Sequence, residues 1–251
     1  PIEGGISTVA VQLARHLAAL GHEVTVVAPH FSDMEDFDNG EPVTVIRYRG
    51  YGWGWLRLLP MLVKCRRFTG WCDAILAINV AYGGVIGMLA GKPYVVFAYA
   101  YEFMKFAHTP ILGGLLRRVY RRAKAVVAIS EFTRRNLEEF GVDGGRIRVV
   151  LPGAEPDVSV SEAEIDAVRH TYVLDDNRVI LSVGRLIPRK NHIGLVRALP
   201  KVLERIPDTV LLIAGQGPCM WEICQEAHRL GVREQLVLPG KVAESDLAAL
   251  Y

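Results

Sequence analysis

Short runs of β-branched and aliphatic residues alternate with amphipathic stretches along nearly the whole chain, and this rhythm limits the fold more than any other feature. Ile6, Val9, Ala10, Leu13, Leu17 and Leu20 recur at three- and four-residue steps, which is one face of a helix. Gly21 supplies a stop, and residues 23–28 (EVTVVA) read as a strand. Further strands are predicted at 43–47, 74–78, 94–98, 125–129 and 148–151, with helices at 55–68, 82–90, 111–122 and 131–140. Strands that alternate with helices pair in parallel and are covered on both faces.

Leu151-Pro152-Gly153-Ala154-Glu155-Pro156 breaks the rhythm and sets a domain boundary, giving domains 1–156 and 157–251. After it a helix is predicted at 161–172, strands at 178–183, 209–214 and 235–238, and helices at 191–206, 218–230 and from Glu244 onward. The fold class is therefore α/β, with two Rossmann-like, doubly wound domains. A Gly4-Gly5 turn leading straight into a helix normally comes after a first strand, and three strands with the start of a helix do not complete the second sheet. The sequence reads as a piece cut at both ends.

Composition excludes several classes. Apolar residues make up 51% and charged residues 22%, enough for a sizeable core and incompatible with disorder or a collagen-like repeat. A net charge of +2 gives no whole-chain field for nucleic acid, but the distribution is uneven. Residues 1–156 hold 18 basic and 14 acidic side chains, against 11 and 13 in residues 157–251. Cys65, Cys72, Cys219 and Cys224 have neither zinc-knuckle nor redox spacing, and read as reduced thiols. Residues 74–91 carry no charge, but Asn79, Gly83, Gly84, Gly87 and Gly91 break them. A buried strand, a glycine turn and a short helix fit better than a bilayer span, which needs about 20 apolar residues in one helix. The opening Pro1-Ile2-Glu3-Gly4-Gly5 has neither the Met nor the basic start of a secretory signal.

The chemistry concentrates at strand ends. Gly4-Gly5-Ile6-Ser7-Thr8 precedes a helix whose first amides lack internal partners, an arrangement that favours an anion. Taken alone it is an ordinary glycine turn with a Ser or Thr cap. A dinucleotide fingerprint is absent, because the third glycine is missing and Ala28-Pro29-His30 stand where its acid would be. Ser182-Val183-Gly184-Arg185-Leu186-Ile187-Pro188-Arg189-Lys190-Asn191 is the strongest local signal. It places Arg185 and Lys190 around a proline-stiffened turn on the carboxyl edge of a parallel sheet, where ligands bind. A planar guanidinium and a compact ammonium suit a diphosphate. In isolation the same residues are a solvated basic turn, with Asn191 capping the next helix. Gly215-Gln216-Gly217-Pro218 and Gly240 follow the next two strands at the same edge. There is no Walker A loop, no G-x-S-x-G elbow and no H-E-x-x-H, and lone histidines such as His192 and His228 read as surface or capping residues.

Two acid-free stretches are basic. Residues 42–72 hold six Lys or Arg with Trp53, Trp55, Phe68 and Trp71, and residues 103–130 hold six more, including Arg117, Arg118, Arg121, Arg122 and Lys124. Basic residues beside aromatics and leucines suit an anionic membrane surface, and equally a solvated helix face. No RNA-recognition motif accompanies them.

Taken in order, five segments resemble the family 4 glycosyltransferases, which have the GT-B fold. They are Gly4-Gly5-Ile6 with Gly21-His22-Glu23-Val24-Thr25-Val26, then Ala128-Ile129-Ser130-Glu131-Phe132-Thr133, then Leu151-Pro152-Gly153-Ala154-Glu155, then Val183-Gly184-Arg185-Leu186 with Arg189-Lys190, and last Ala214-Gly215-Gln216-Gly217-Pro218. The pattern is most similar to the phosphatidylinositol mannosyltransferase-like members. The resemblance implies a hexosyltransferase that retains anomeric configuration, uses a GDP- or UDP-sugar, needs no metal or other cofactor, and closes its two domains over the donor. Residues 1–156 would face the acceptor and residues 157–251 would bind the nucleotide-sugar. Arg185 and Lys190 would neutralise charge growing on the diphosphate. Gly4 and Gly5 would approach the sugar or phosphate, while Gly184, Gly215, Gly217 and Lys241 would line the nucleotide side.

Three departures from the family pattern stand out. Tyr99, followed by Ala100-Tyr101-Glu102, occupies the place of a His, and Tyr99 and Glu102 join the expected substrate-binding set. The Glu-x7-Glu donor motif would fall beyond Tyr251, so turnover by this piece alone is not expected. Glu155 replaces the usual Asp. The implied partners are a nucleotide-sugar, a glycan or lipid acceptor and an anionic membrane surface, without nucleic acid, and the implied location is cytoplasmic, peripheral on the inner membrane face. Two alternatives share the fold: a nucleotide-sugar epimerase, and a nucleotide-sugar-binding module that has lost catalysis.

Overall fold

The computed structural model describes residues 5–30, 35–49, 58–153, 159–174 and 176–251. The chain divides into two compact units, Pro1–Ala154 and Glu155–Tyr251. In unit 1 helix α1 (Gly5–Ala19) leads to strand β1 (Thr25–Pro29), a short helix α2 (Glu35–Asn39), β2 (Thr44–Tyr48), α3 (Leu58–Phe68) and β3 (Ile75–Ala77). A π-turn at Val80–Gly84 runs into α4 (Val85–Ala90), followed by β4 (Tyr94–Ala98), α5 (Tyr101–Met104), α6 (Pro110–Arg122), β5 (Ala125–Ala128), α7 (Glu131–Glu139) and β6 (Ile147–Val149). β1 and β2 form one parallel pair, and β3-β4-β5-β6 form a four-stranded parallel sheet.

The core of unit 1 is built on the inward face of the four-stranded sheet. Tyr94, Val96 and Ala98 of β4 are buried, whereas the alternating Val95 and Phe97 are half-buried, as the two-residue period of a strand requires. Phe103, Tyr120 and Phe140 pack edge-on or tilted against one another with ring centroids 5.4–6.3 Å apart. The glycines of the charge-free stretch have a packing role. A β-carbon at Gly84 would stand 2.7 Å from a methyl of Val119, and one at Gly87 would stand 3.0 Å from the Tyr94 ring. The helical turn after β3 therefore lies directly against its neighbours. Asn79 starts that turn by accepting the amides of Tyr82 and Gly83 at 2.9 and 3.1 Å. No helix among the described residues is long and apolar enough to cross a membrane.

Unit 2 contains α8 (Glu162–Thr171), β7 (Arg178–Val183), a 3₁₀ turn (Pro188–Lys190), α9 (His192–Leu203), β8 (Thr209–Ala214), α10 (Met220–Arg229), β9 (Leu236–Gly240) and α11 (Glu244–Leu250). The three strands pair in parallel in the order β7-β8-β9. Central β8 is buried along its whole length and divides the core. Leu211 and Ile213 point to Val196, Leu199, Ile223 and Ala227 of α9 and α10. Val210, Leu212 and Ala214 point to the opposite cluster, which includes Leu174 and Leu250. A strand apolar on both faces is what a doubly wound sheet needs at its centre. A capping box fixes the start of α8: Ser161 accepts the Glu164 amide at 3.3 Å, and the Glu164 carboxylate accepts the Ser161 amide at 2.8 Å.

Several elements differ from the sequence reading for local reasons. The predicted helix over 82–90 is a π-turn from Val80 followed by a shorter α-helix, because Asn79 caps it earlier. The short helices Glu35–Asn39 and Tyr101–Met104 have no counterpart among the predicted elements, because they are too brief to show a period. Arg117 is not part of a solvated basic face. Its guanidinium donates to the carbonyls of Phe140 and Ala107 at 3.1 and 3.3 Å and lies 4.7 Å from the Phe140 ring centre. Of the four cysteines, Cys219 is buried and the other three are half-buried, all as free thiols.

Candidate active site

The carboxyl edge of the unit 2 sheet is drawn together by backbone contacts that only glycine permits. The Gly184 amide donates to the Ala214 carbonyl at 2.9 Å, and the Gly215 amide donates to the Gly240 carbonyl at 2.7 Å, so the ladder runs past the strand ends. Gly184 and Gly215 have φ of 155° and 152°, and a β-carbon on Gly215 would overlap the Gly184 carbonyl oxygen. One on Gly217 would overlap the carbonyl of Leu186. These glycines are thus required first by the approach of one loop to the next, before any ligand is considered.

Leu186 is fully buried and pins the loop that follows β7. Its amide donates to the Gln216 carbonyl and its own carbonyl accepts from the Cys219 amide, at 2.9 and 3.0 Å. Anchored in this way, the loop presents Arg185 and Lys190 outward. Both side chains are exposed, and neither forms a hydrogen bond or ion pair with a described residue. Lys190 folds back over Gly184, its Nζ 3.9 Å from the place a β-carbon there would take. Lys241 follows β9 on the same edge and is exposed. The structure therefore gathers Gly184, Arg185, Lys190, Gly215 and Gly217 at neighbouring strand ends, with Lys241 one strand further.

Asn191, expected to cap α9 with its side chain, precedes the helix in a left-handed conformation (φ 52°, ψ 39°) and makes no side-chain cap. His192, read from the sequence as a surface or capping residue, is 4% exposed. Its Nδ1 lies 3.2 Å from Ser182 Oγ and its Nε2 lies 3.4 Å from the Arg185 carbonyl. No motif in the sequence marks it.

In unit 1, Gly5 is the exposed first residue of α1, and Gly4 lies outside the described residues. Tyr99 and Glu102 follow β4 at the carboxyl edge of its sheet. Between them Ala100 adopts φ 65° and ψ −64°, and the Tyr101 amide donates to the Tyr99 carbonyl at 2.8 Å. This is a γ-turn of the rare, strained kind. The hydroxyls of Tyr99 and Tyr120 and one carboxyl oxygen of Glu102 are buried without hydrogen-bond partners. Burial raises the Glu102 carboxyl to about 7, partly offset by the facing amides of Tyr99 and Val80. Burial, and then the Glu102 charge, pushes the Tyr99 phenol up to about 12. Tyr99 and Glu102 are themselves only half-buried, with these polar atoms turned inward.

The raised carboxyl has a measurable consequence. Its stabilising contribution is fully present below the ordinary value of 4.5 and is lost as pH rises through about 7, because the folded chain holds the proton more tightly. The loss amounts to roughly 3 kcal/mol. In chemical denaturation, Glu102→Gln should gain that amount relative to the parent between pH 4 and pH 8. Parallel stability curves for the two proteins would contradict the buried-acid assignment.

Comparison with known proteins gives the family. The model of Glycosyltransferase Family 4 matches residues 3–158, and that of Glycosyl transferases group 1 matches residues 165–251. The chain is 28% identical over 260 residues to a GDP-mannose-dependent alpha-(1-6)-phosphatidylinositol monomannoside mannosyltransferase of Mycolicibacterium smegmatis, covering 99% of this chain and 67% of that protein. It is 29% identical over 227 residues to the phosphatidyl-myo-inositol mannosyltransferase of Mycobacterium tuberculosis, covering 86% of this chain and 57% of that protein. Among solved structures, Anabaena HepE in complex with UDP and glucose superposes with a TM-score of 0.78 at 19% identity, over 98% of this chain and 68% of that one. The parallel α/β sheets, the gathered strand ends and both family matches lead to one conclusion: the chain belongs to Glycosyltransferase Family 4 and is a glycosyltransferase of the GT-B fold.

Proposed function

We propose that this glycosyltransferase moves a hexose of the mannose or glucose type from a GDP- or UDP-sugar to a lipid or glycan acceptor, with retention at the anomeric carbon. In this reading unit 2 binds the donor and unit 1 faces the acceptor. The observation that carries it is the pair of exposed, unpartnered cations Arg185 and Lys190 beside the glycine edge of the unit 2 sheet. As the bond from the anomeric carbon to the diphosphate breaks, negative charge grows on the leaving phosphate. A guanidinium and an ammonium at this edge stabilise that charge more than they stabilise the ground state. The glycines leave the backbone open to the diphosphate and nucleoside, with Lys241 on the same edge. Gly4, Gly5, Tyr99 and Glu102 would serve the sugar and acceptor side. The mannosyltransferase relatives favour GDP-mannose and a phosphatidylinositol-type acceptor.

Two helices of unit 1 support a membrane-surface location on the cytoplasmic side. On α3, Leu59, Val63, Arg66 and Arg67 are exposed at steps that put them on one face. On α6, Arg118, Arg121 and Arg122 are exposed along one face, followed by Lys124, and Ile111 at its start is 85% exposed. Apolar side chains beside unpaired arginines fit an anionic interface. Trp53 and Trp55, which the sequence adds to this surface, lie outside the described residues.

Replacing Arg185 or Lys190 by Ala should remove a hydrogen bond to a charged group. That weakens GDP or UDP affinity by about 1.5–3 kcal/mol, or on the order of 10- to 150-fold. Titration calorimetry checks this, and unchanged affinity in both variants would refute the donor-site reading. For the membrane, sedimentation with vesicles should show binding to phosphatidylglycerol-containing bilayers that weakens as salt is raised. Equal partition onto neutral phosphatidylcholine vesicles would count against it.

A further inference from the structure

Apart from tyrosines, the polar residues buried among the described ones are Thr133, His192 and Thr209. The two threonines bond within their own turns, Thr133 to Ser130 and Thr209 to the Ile206 carbonyl. His192 instead joins two elements. It opens α9, yet its ring lies between Ser182 in β7 and the carbonyl of Arg185 in the loop that follows β7.

The chemistry of the partners sets the direction of one of these contacts. A carbonyl oxygen can only accept, so the nitrogen facing Arg185, Nε2, carries the hydrogen. With Nε2 donating, Nδ1 can accept from the Ser182 hydroxyl. Every polar atom of the buried ring is matched in this arrangement. The Arg185 carbonyl also accepts the Ile187 amide at 2.9 Å, so the peptide leaving Arg185 is held from two directions. Leu186, the next residue, is buried in the core. Between strand and helix, the backbone at Arg185 therefore has little freedom, while its side chain stands in solvent.

We propose that His192 is a positioning residue for Arg185: the relay from the Ser182 hydroxyl through the imidazole to the Arg185 carbonyl holds the loop so that the guanidinium faces a bound diphosphate. This rests on the reading of Arg185 as a diphosphate ligand. The effect is transmitted through the backbone, and His192 itself touches no substrate. Holding a charged ligand group in place before binding removes an ordering cost at the moment of binding.

The test is a double-mutant cycle on GDP or UDP affinity, whichever nucleotide the parent binds more tightly, measured by calorimetry with melting temperatures as a folding control. His192→Phe keeps the ring volume and removes both hydrogen bonds. It should weaken binding about 5- to 30-fold in the parent and have almost no further effect in an Arg185→Ala background. Ser182→Ala deletes one donor with minimal disturbance and should show a smaller loss with the same dependence on Arg185, which keeps the test informative if the Phe variant does not fold. His192→Gln, whose amide can both donate to the carbonyl and accept from the serine, should recover most of the affinity. Unchanged affinity in folded His192→Phe and Ser182→Ala would overturn the proposal. So would an equal loss with and without Arg185, since that is what general loosening of the unit produces. If Arg185→Ala alone leaves affinity intact, the diphosphate reading fails first and this proposal falls with it.

Discussion

The architecture of unit 2 turns on how closely three backbone segments approach at one sheet edge. Where β7 ends, the Gly184 carbonyl fills the space that any β-carbon on residue 215 would need, and the Leu186 carbonyl does the same to residue 217. These approaches allow the ladder to continue from Gly184 to Ala214 and from Gly215 to Gly240. They also place the loop carrying Arg185 and Lys190 directly above the end of the central strand. A parallel sheet collects its ligands at this edge, and here glycines at residues 184, 215 and 217 leave backbone open beside the cations. Close backbone approach therefore demands glycine at residues 215 and 217, and the backbone conformation (φ 155°) favours it at 184.

Unit 1 has a different character at its corresponding edge. After β4 the chain makes a strained turn at Ala100 and buries a carboxyl oxygen and two phenol hydroxyls without partners. Unmatched polar groups in a core are costly, and the Tyr120 hydroxyl brings that cost into the aromatic cluster with Phe103 and Phe140. Strain and unmatched polarity together are features of segments that change conformation when a ligand arrives. Elsewhere the unit is held conventionally, with Arg117 stacked on Phe140 and Arg146 donating to the carbonyls of Arg121 and Ala123 at 2.8 and 3.1 Å.

Much of this is legible from the residues. Segments such as Thr209–Ala214, apolar without alternation, announce a strand buried on both faces, and the strand and helix order comes directly from such runs. Glycines at successive strand ends, with Arg185 and Lys190 beside them, mark the carboxyl edge of the unit 2 sheet and carry the family resemblance. Tertiary contacts set the features that escape a sequence reading. His192 carries no motif, and its burial depends on where Ser182 and the Arg185 carbonyl come to lie. Arg117 is one more charge in a basic run until Phe140 is brought against it. The one-turn helix Tyr101–Met104 is too short for any period to reveal, and the inward turn of Glu102 depends on it.

The central claim is that the glycine edge of unit 2, with Arg185 and Lys190, holds the nucleoside diphosphate. Amide chemical-shift mapping of the isotopically labelled chain, titrated with GDP, with UDP and with NAD, tests it most directly. The account predicts that GDP or UDP shifts the amides of Gly184, Arg185, Gly215 and Gly217 in a saturable way, while NAD leaves them unmoved. Shifts confined to residues of unit 1, or the same response to all three nucleotides, would contradict it.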